Sequence, residues 1–143
     1  MIKMAKLTKD YFTNNEVLIL GFPLNDDPDM KMILPAFLNN NIKVLAMNSK
    51  AEGDNGIKVY KTFAELPNVP ECAYIYLAKE DIAPWIDQLV AAGVKRVLFH
   101  SKKDVDPGDI DACKKVGLET AVACPMMLLG KGIHRFHKFL AGV

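Results

Sequence analysis

Residues 16–23, with the sequence Glu-Val-Leu-Ile-Leu-Gly-Phe-Pro, constrain the fold more than any other part of the chain. The stretch is an apolar run of β-branched and large aliphatic residues, and Gly21 and Pro23 end it. Such a run predicts a buried first strand of a parallel sheet. A turn-rich segment and then a helical pattern follow, so the strand's carboxyl end lies where ligands bind in open α/β sheets.

Size and charge limit the classes of protein to consider. The chain has 143 residues, half of them hydrophobic, which predicts one domain over residues 1–143 with a sizeable core. Eighteen basic residues against 17 acidic ones give a net charge of +1, so no overall field favours nucleic acid or an anionic membrane. Residues 1–10 lack the continuous apolar core of a secretory signal or a membrane span.

The three cysteines are odd in number and widely spaced, which argues against a disulfide framework and against a zinc site. A reducing, cytoplasmic location is the natural expectation. His134 and His137 lie three apart near the end of the chain, but a solvated basic helix face explains them better than half of a metal site.

The rest of the chain alternates strand and helix patterns. Apolar runs predict further main strands at residues 43–48, 72–78, 94–100 and 118–123, and a short edge strand at residues 57–60. Buried strand positions are expected at Val17, Ile19, Val44, Ile75, Leu77, Val97 and Val122.

Helical spacing and helix-start signals predict five main helices. The first is short and amphipathic, with Met4, Leu7 and Tyr11 on one face, and the last covers residues 132–143. Between them, one helix has the inner stripe Met30, Ile33, Leu34, Phe37 and Leu38, with Pro35 kinking it or delaying its start. A second has the inner stripe Ile82, Ile86, Leu89 and Val90, and Gly93 ends it. A third helix opens with Asp106 as its N-cap and Pro107 at its first position, and it runs to Gly117.

This alternation predicts an α/β fold: a doubly wound, five-stranded parallel sheet, Rossmann-like, with helices on both faces. A strand order of 3-2-1-4-5 is expected, with a flavodoxin-like order as the alternative. The loops at the carboxyl ends of the strands then converge on one edge. They carry Gly21, Phe22, Pro23 and Asn25; Asn48, Ser49 and Lys50; Ala78 and Lys79; His100 and Ser101; and Cys124 and Pro125.

Lysines at several neighbouring strand ends favour an anionic ligand with more than one phosphate, although loops are polar in most proteins. Tight NAD binding is not expected. After Gly21 the next glycine is Gly53, so the first loop has no Gly-x-Gly-x-x-Gly fingerprint. Asp26, Asp27 and Asp29 also place negative charge beside any phosphate in that loop.

Taken in order, the loop motifs resemble those of the small CoA-binding domain proteins, which are similar to the amino-terminal domain of the succinyl-CoA synthetase α-subunit. The matching motifs are Gly-Phe-Pro at residues 21–23, Met-Asn-Ser-Lys at 47–50, the segment 58–67 ending in Glu-Leu-Pro, and Ala-Cys-Pro at 123–125. The resemblance covers roughly residues 15 to 128 and implies a Rossmann-like fold that binds CoA or an acyl-CoA.

The resemblance implies that Lys50 meets a CoA phosphate and that the first loop cradles the pyrophosphate or adenosine. Ala78, Lys79 and Ser101 would line the remainder of the site. The first loop departs from the family pattern because the usual Ser and Arg are missing, and Lys31 is the candidate to replace the arginine.

Three functions follow as hypotheses. The first is a stand-alone module that binds a small nucleotide-type ligand without catalysis of its own, with room for a protein partner. The second is a small acyl-CoA-dependent transferase in which Cys124 is the nucleophile and His100 the base; a structural role for Cys124 beside Pro125 is the favoured interpretation. The third is a scaffold or regulatory subunit with a decayed nucleotide pocket.

Overall fold

The architecture is an all-parallel sheet with helices on both faces, as expected. The computed structural model describes residues 9–51 and 57–129. Its strands are β1 Glu16–Leu20, β2 Lys43–Met47, β3 Val59–Tyr60, β4 Cys72–Ile75, β5 Arg96–Phe99 and β6 Glu119–Val122. Its α-helices are α1 Pro28–Asn39, α2 Ala83–Ala92 and α3 Pro107–Lys115.

The sheet has six strands rather than five, in the order β3-β2-β1-β4-β5-β6, and every neighbouring pair is parallel. The additional strand is the short edge strand β3. The expected order 3-2-1-4-5 holds only when β3 is counted as the third strand. The five longer strands alone follow the flavodoxin-like order, because β4 pairs with β1 and not with β2.

Alternation along β1 divides the core into two layers. Val17 and Ile19 are buried on the face covered by α1 and by the 3₁₀ turns that precede β1. Leu18 and Leu20 are buried on the opposite face, against α2 and α3. Because β1 lies in the middle of the sheet and is covered on both sides, its sequence is apolar without a polar alternation.

Most of the predicted core is buried, and five of the described positions are not fully buried. Leu77 and Val122 are only partly buried, since Leu77 follows the end of β4 and Val122 lies on the edge strand β6. Leu34 is partly buried, Leu38 is 51% exposed and Val90 is 37% exposed, because the buried stripe of each helix is narrower than predicted. The buried positions are Met30, Ile33 and Phe37 on α1, and Ile86 and Leu89 on α2.

Helix α1 begins at Pro28, with Asp27 as its N-cap, and continues through Pro35. The proline therefore does not delay the start of the helix. Of the predicted amino-terminal helix, Met4 and Leu7 lie outside the described residues, and Tyr11 is buried in a 3₁₀ turn. The predicted terminal helix, with His134 and His137, also lies outside them. No helix within the described ranges is long and apolar enough to cross a membrane.

Candidate ligand site at the carboxyl edge of the sheet

Gly21 forms the tight turn at the carboxyl end of β1. Its amide and that of Phe22 both donate to the carbonyl oxygen of Met47, at 2.8 and 3.1 Å. The φ angle of Gly21 is +92°, and a Cβ there would lie 3.0 Å from the backbone carbonyl carbon and oxygen of Tyr76. Glycine is thus required both by the backbone conformation and by the close approach of the chain after β4.

Asn48 joins the first loop to the second. Its side-chain amide donates to the carbonyl oxygen of Phe22 at 2.8 Å, and its Oδ1 accepts from the Lys50 amide at 2.9 Å. These bonds satisfy both ends of the Asn48 side chain within the protein. Ser49 and Lys50 are exposed beside it, so Asn48 positions the loop that presents them.

The described residues form at least three hollows along this edge of the sheet. The first lies at the point where the strand order reverses, between β1 and β4. This switch-point cleft has a volume of about 380 Å³. It brings together five of the predicted site residues: Gly21, Asn48, Ser49, Lys50 and Ala78. Asp81 and Trp85 also line it and were not predicted. Trp85 is partly buried and packs edge-on against Phe63 at 6.0 Å between ring centroids.

The second hollow, the loop groove, lies between the first loop and α1. Its volume is about 390 Å³, and its walls are mainly apolar, with Leu24, Met30 and Leu34 among them. It contains four predicted site residues: Phe22, Pro23, Asn25 and Lys31. The first loop and Lys50 were expected to share one ligand site. Gly21 does line the switch-point cleft together with Lys50, whereas the rest of that loop lines the loop groove.

The third hollow, the His100 pocket, measures about 220 Å³ and is lined by Asp29, Tyr76, His100 and Asp104 together with Ala78. Burial raises the pKa of Tyr74, so its hydroxyl stays protonated, and this hydroxyl shares a hydrogen bond of 2.7 Å with Nδ1 of His100. Ser101 also makes an internal bond, from Oγ to the Asp104 carboxylate at 2.7 Å. Both side chains therefore have partners within the protein.

Two of the three candidate lysines are paired with carboxylates at the surface. Nζ of Lys31 lies 2.6 Å from the Asp26 carboxylate, and Nζ of Lys79 lies 3.7 Å from that of Asp106. Lys79 lines none of the three hollows. Lys50 makes no ion pair with any residue in the described ranges. Among the residues that the structure describes, Lys50 is thus the one of these three lysines without a carboxylate partner.

Cys124 and Pro125 follow β6 but line none of the three hollows. Burial raises the pKa of the Cys124 thiol, and a hydrogen bond from the Met126 backbone offsets this by less. A raised pKa opposes formation of the nucleophilic thiolate. Within residues 9–51 and 57–129, no hydrogen bond joins Cys124 to His100, and no group of three or more His, Cys, Asp or Glu side chains has the arrangement of a metal site.

Tyr76 separates the three hollows, and sequence reasoning missed it. Its ring lines both the switch-point cleft and the His100 pocket, and its hydroxyl donates to Oδ1 of Asp27, in the loop groove, at 2.9 Å. Burial first, and then the Asp27 hydrogen bond, raise the pKa of Tyr76 above its ordinary value. One signal for Asp27 was available, because Asp27-Pro28 has the same helix-start pattern as Asp106-Pro107.

Several solved structures have this fold. Prb, a protein redesigned for binding, has a TM-score of 0.69 at 17% identity, with 99% of this chain and 97% of that chain covered. A hypothetical protein from Pyrococcus horikoshii has a TM-score of 0.69 at 18% identity, covering 94% and 89%. A Pyrococcus furiosus protein has a TM-score of 0.63 at 20% identity, covering 75% and 91%. At these identities the likeness establishes the fold alone.

The family assignment comes from the sequence itself. No curated protein matches the chain. A family model described as a CoA binding domain, however, matches residues 15–130, from the start of β1 to just past the last 3₁₀ turn. That range includes every strand of the sheet and all three hollows. The chain therefore belongs to the CoA binding domain family.

Proposed function

We propose that this protein binds CoA or an acyl-CoA in the switch-point cleft and has no catalytic activity of its own. The observation that carries the proposal is the position of Lys50, a lysine without a carboxylate partner among the described residues, at the cleft where the strand order reverses. Ligands of open α/β folds bind at this point of the sheet. Membership of the CoA binding domain family supports the choice of ligand.

The chemistry of the cleft suits a ligand that is anionic at one end and apolar along its length. The Lys50 ammonium and the Ser49 hydroxyl provide hydrogen-bond donors for phosphate oxygens. Leu77, Pro84 and Trp85 provide an apolar wall, while the Asp81 carboxylate disfavours a phosphate beside it. We therefore assign the phosphate contact to Lys50 and the less polar part of the ligand to the Trp85 side.

The absence of catalysis is proposed from the state of Cys124 and His100. The thiol has a raised pKa and lies outside the cleft, and Nδ1 of His100 is occupied by the Tyr74 hydroxyl. A thiol nucleophile requires a lowered pKa or a base within hydrogen-bond reach. The described residues supply neither to Cys124, which favours a binding module over an acyl transferase.

The proposal is tested by titrating the protein with CoA in a calorimeter, using wild type, Lys50→Met and Lys50→Glu at low and high salt. Loss of a charge-assisted contact on an exposed loop should weaken binding by about 1 to 3 kcal/mol, nearer the lower figure, or roughly five- to a hundredfold. Lys50→Glu should be the more harmful change, and the loss should shrink as salt rises. Trp85, the chain's single tryptophan, provides a fluorescence readout inside the cleft.

The matched control is Lys79→Met, because Lys79 lies at the same edge but is paired with Asp106 and lies outside the cleft. The control should bind CoA like wild type. Equal affinity in all three lysine variants would refute the role of Lys50. An absence of CoA binding by wild type, together with no CoA species retained in non-denaturing mass spectrometry, would refute the function and favour the scaffold hypothesis.

A further inference from the structure

We infer that Asp27 determines ligand specificity: its carboxylate occupies the amino terminus of α1 and excludes phosphate from the first loop. The inference rests on the proposed function only for the identity of the ligand, which it deepens by confining the ligand's phosphates to the Lys50 side of the switch-point cleft. Asp27 lines the loop groove, not that cleft. It therefore acts by closing an alternative anion position.

The contacts of Asp27 show how that position is filled. One oxygen, Oδ1, accepts from the Met30 amide at 2.9 Å and from the Tyr76 hydroxyl at 2.9 Å. The first amides of a helix have no partner within the helix, and the helix dipole favours an anion beside them. A phosphate would use the same amides and the same field. In this chain the Asp27 carboxylate already accepts from the Met30 amide and already lies in that field.

The second partner of Asp27 is held in place from several directions. The Tyr76 amide donates to the carbonyl oxygen of Leu20 at 2.8 Å, and the Tyr76 backbone packs against Gly21. Because the pKa of Tyr76 is raised, chiefly by burial, its hydroxyl keeps its proton and remains a donor to Asp27. The carboxylate is thus fixed by the helix on one side and by the end of β4 on the other.

The surrounding charges reinforce the exclusion. The nearby lysine, Lys31, pairs with Asp26, and Asp29 adds a further carboxylate in the first turn of α1. A phosphate arriving at the helix terminus would meet the charges of Asp27 and Asp29, and Lys31, the lysine that lines the loop groove, already has Asp26 as a partner. The negative charges of these two carboxylates would therefore oppose the binding of a phosphate at the start of α1.

The experiment titrates pyrophosphate into wild type and two variants, Asp27→Asn and Asp27→Ser, and follows the backbone amides of Asp29 and Met30 by NMR. Asparagine keeps an oxygen that can accept both hydrogen bonds but removes the charge. Serine still caps the helix, and its smaller side chain leaves space for a phosphate at the start of α1. Either variant can therefore test the inference if the other folds poorly. Asp111→Asn is the control, because it removes the same charge from an exposed position on α3.

Both Asp27 variants should bind pyrophosphate about two- to fivefold more tightly than wild type, the range expected for an anion at a helix terminus. Their Met30 amide should shift during the titration, while wild type and Asp111→Asn show no such shift. Two results would overturn the inference: a Met30 shift in wild type at the affinity of the variants, or no gain in either folded variant.

The same variants are then titrated with CoA, which keeps the two proposals separable. A pyrophosphate gain in the Asp27 variants, with no CoA binding by wild type, would contradict the proposed function and support the role of Asp27. CoA binding by wild type, with no pyrophosphate gain in the variants, would contradict the role of Asp27 and support the proposed function.

Discussion

Replacing Gly21 with alanine should destabilise the protein by more than its backbone conformation explains. Gly21 and Gly117 have the same φ angle, +92°. A Cβ on Gly117 meets no atom within 4 Å, whereas one on Gly21 lies 3.0 Å from the Tyr76 carbonyl carbon and oxygen and 2.8 Å from Cδ2 of Leu77. Gly117→Ala therefore measures the conformational cost, and Gly21→Ala measures that cost plus the close approach of the strands.

The magnitudes follow from these two terms. A left-handed backbone costs an L-residue about 1 to 2 kcal/mol, which is the expected loss for Gly117→Ala. Forcing an added methyl group into a packed site costs about 1 to 3 kcal/mol more. The Leu77 methyl can rotate away, but the Tyr76 backbone cannot, since the Tyr76 amide is bonded to the carbonyl oxygen of Leu20. Gly21→Ala should thus lose about 2 to 5 kcal/mol.

Urea denaturation of wild type and both variants measures these free energies of unfolding, with equal denaturant slopes as the check for two-state behaviour. Gly108→Ala is a third comparison, because Gly108 has neither a positive φ nor an atom within 4 Å of its built Cβ, and it should lose nothing. A Gly21→Ala loss no larger than that of Gly117→Ala would show that the turn at the end of β1 is not packed against β4 as described.

Two further predictions concern the core and the thiols. Ile75→Ala should lose about 2 to 5 kcal/mol of unfolding free energy because Ile75 is 3% exposed. Val90→Ala, on the surface of α2, should lose little. Similar losses of unfolding free energy for the two variants in urea would contradict the assigned burial. Burial raises the pKa of the Cys124 thiol, and it raises that of Cys113 to about 11. Alkylation of these thiols, mapped by mass spectrometry, should therefore be slow at neutral pH. The rate should increase as the pH rises above about 8.5, which is the pKa of a free thiol. A Cys124 rate already at its plateau below neutral pH would instead indicate an activated nucleophile.

The strands were predictable because their apolar runs are long and bounded by glycine, proline or asparagine. The order of the strands was not fully predictable, since periodicity reports which face of an element is buried but not its neighbour in the sheet. The position of β3 decided the order. This strand pairs only two residues, Val59 and Tyr60, with β2, which leaves the other side of β1 to β4.

Convergence of the loops was also predictable, because parallel strands present their carboxyl ends at one edge of the sheet. Division of that edge into three hollows was not predictable. Tyr76 lines two of these hollows and donates to Asp27 in the third, and the two residues are 49 positions apart in the chain. The pairing of the lysines was not predictable either. Lys31 and Lys79 have carboxylate partners among the described residues and Lys50 has none, and no local sequence pattern encodes which carboxylate reaches which lysine in space.

The most direct test of the account is the mapping of backbone amide shifts while CoA is added to the uniformly labelled wild-type protein. Binding in the switch-point cleft should move the amides of Gly21, Ser49, Lys50 and Ala78, and leave those of Asp29 and Met30 near their starting positions. Shifts centred on Asp29 and Met30 with Lys50 unmoved, or no shifts at saturating CoA, would contradict the account.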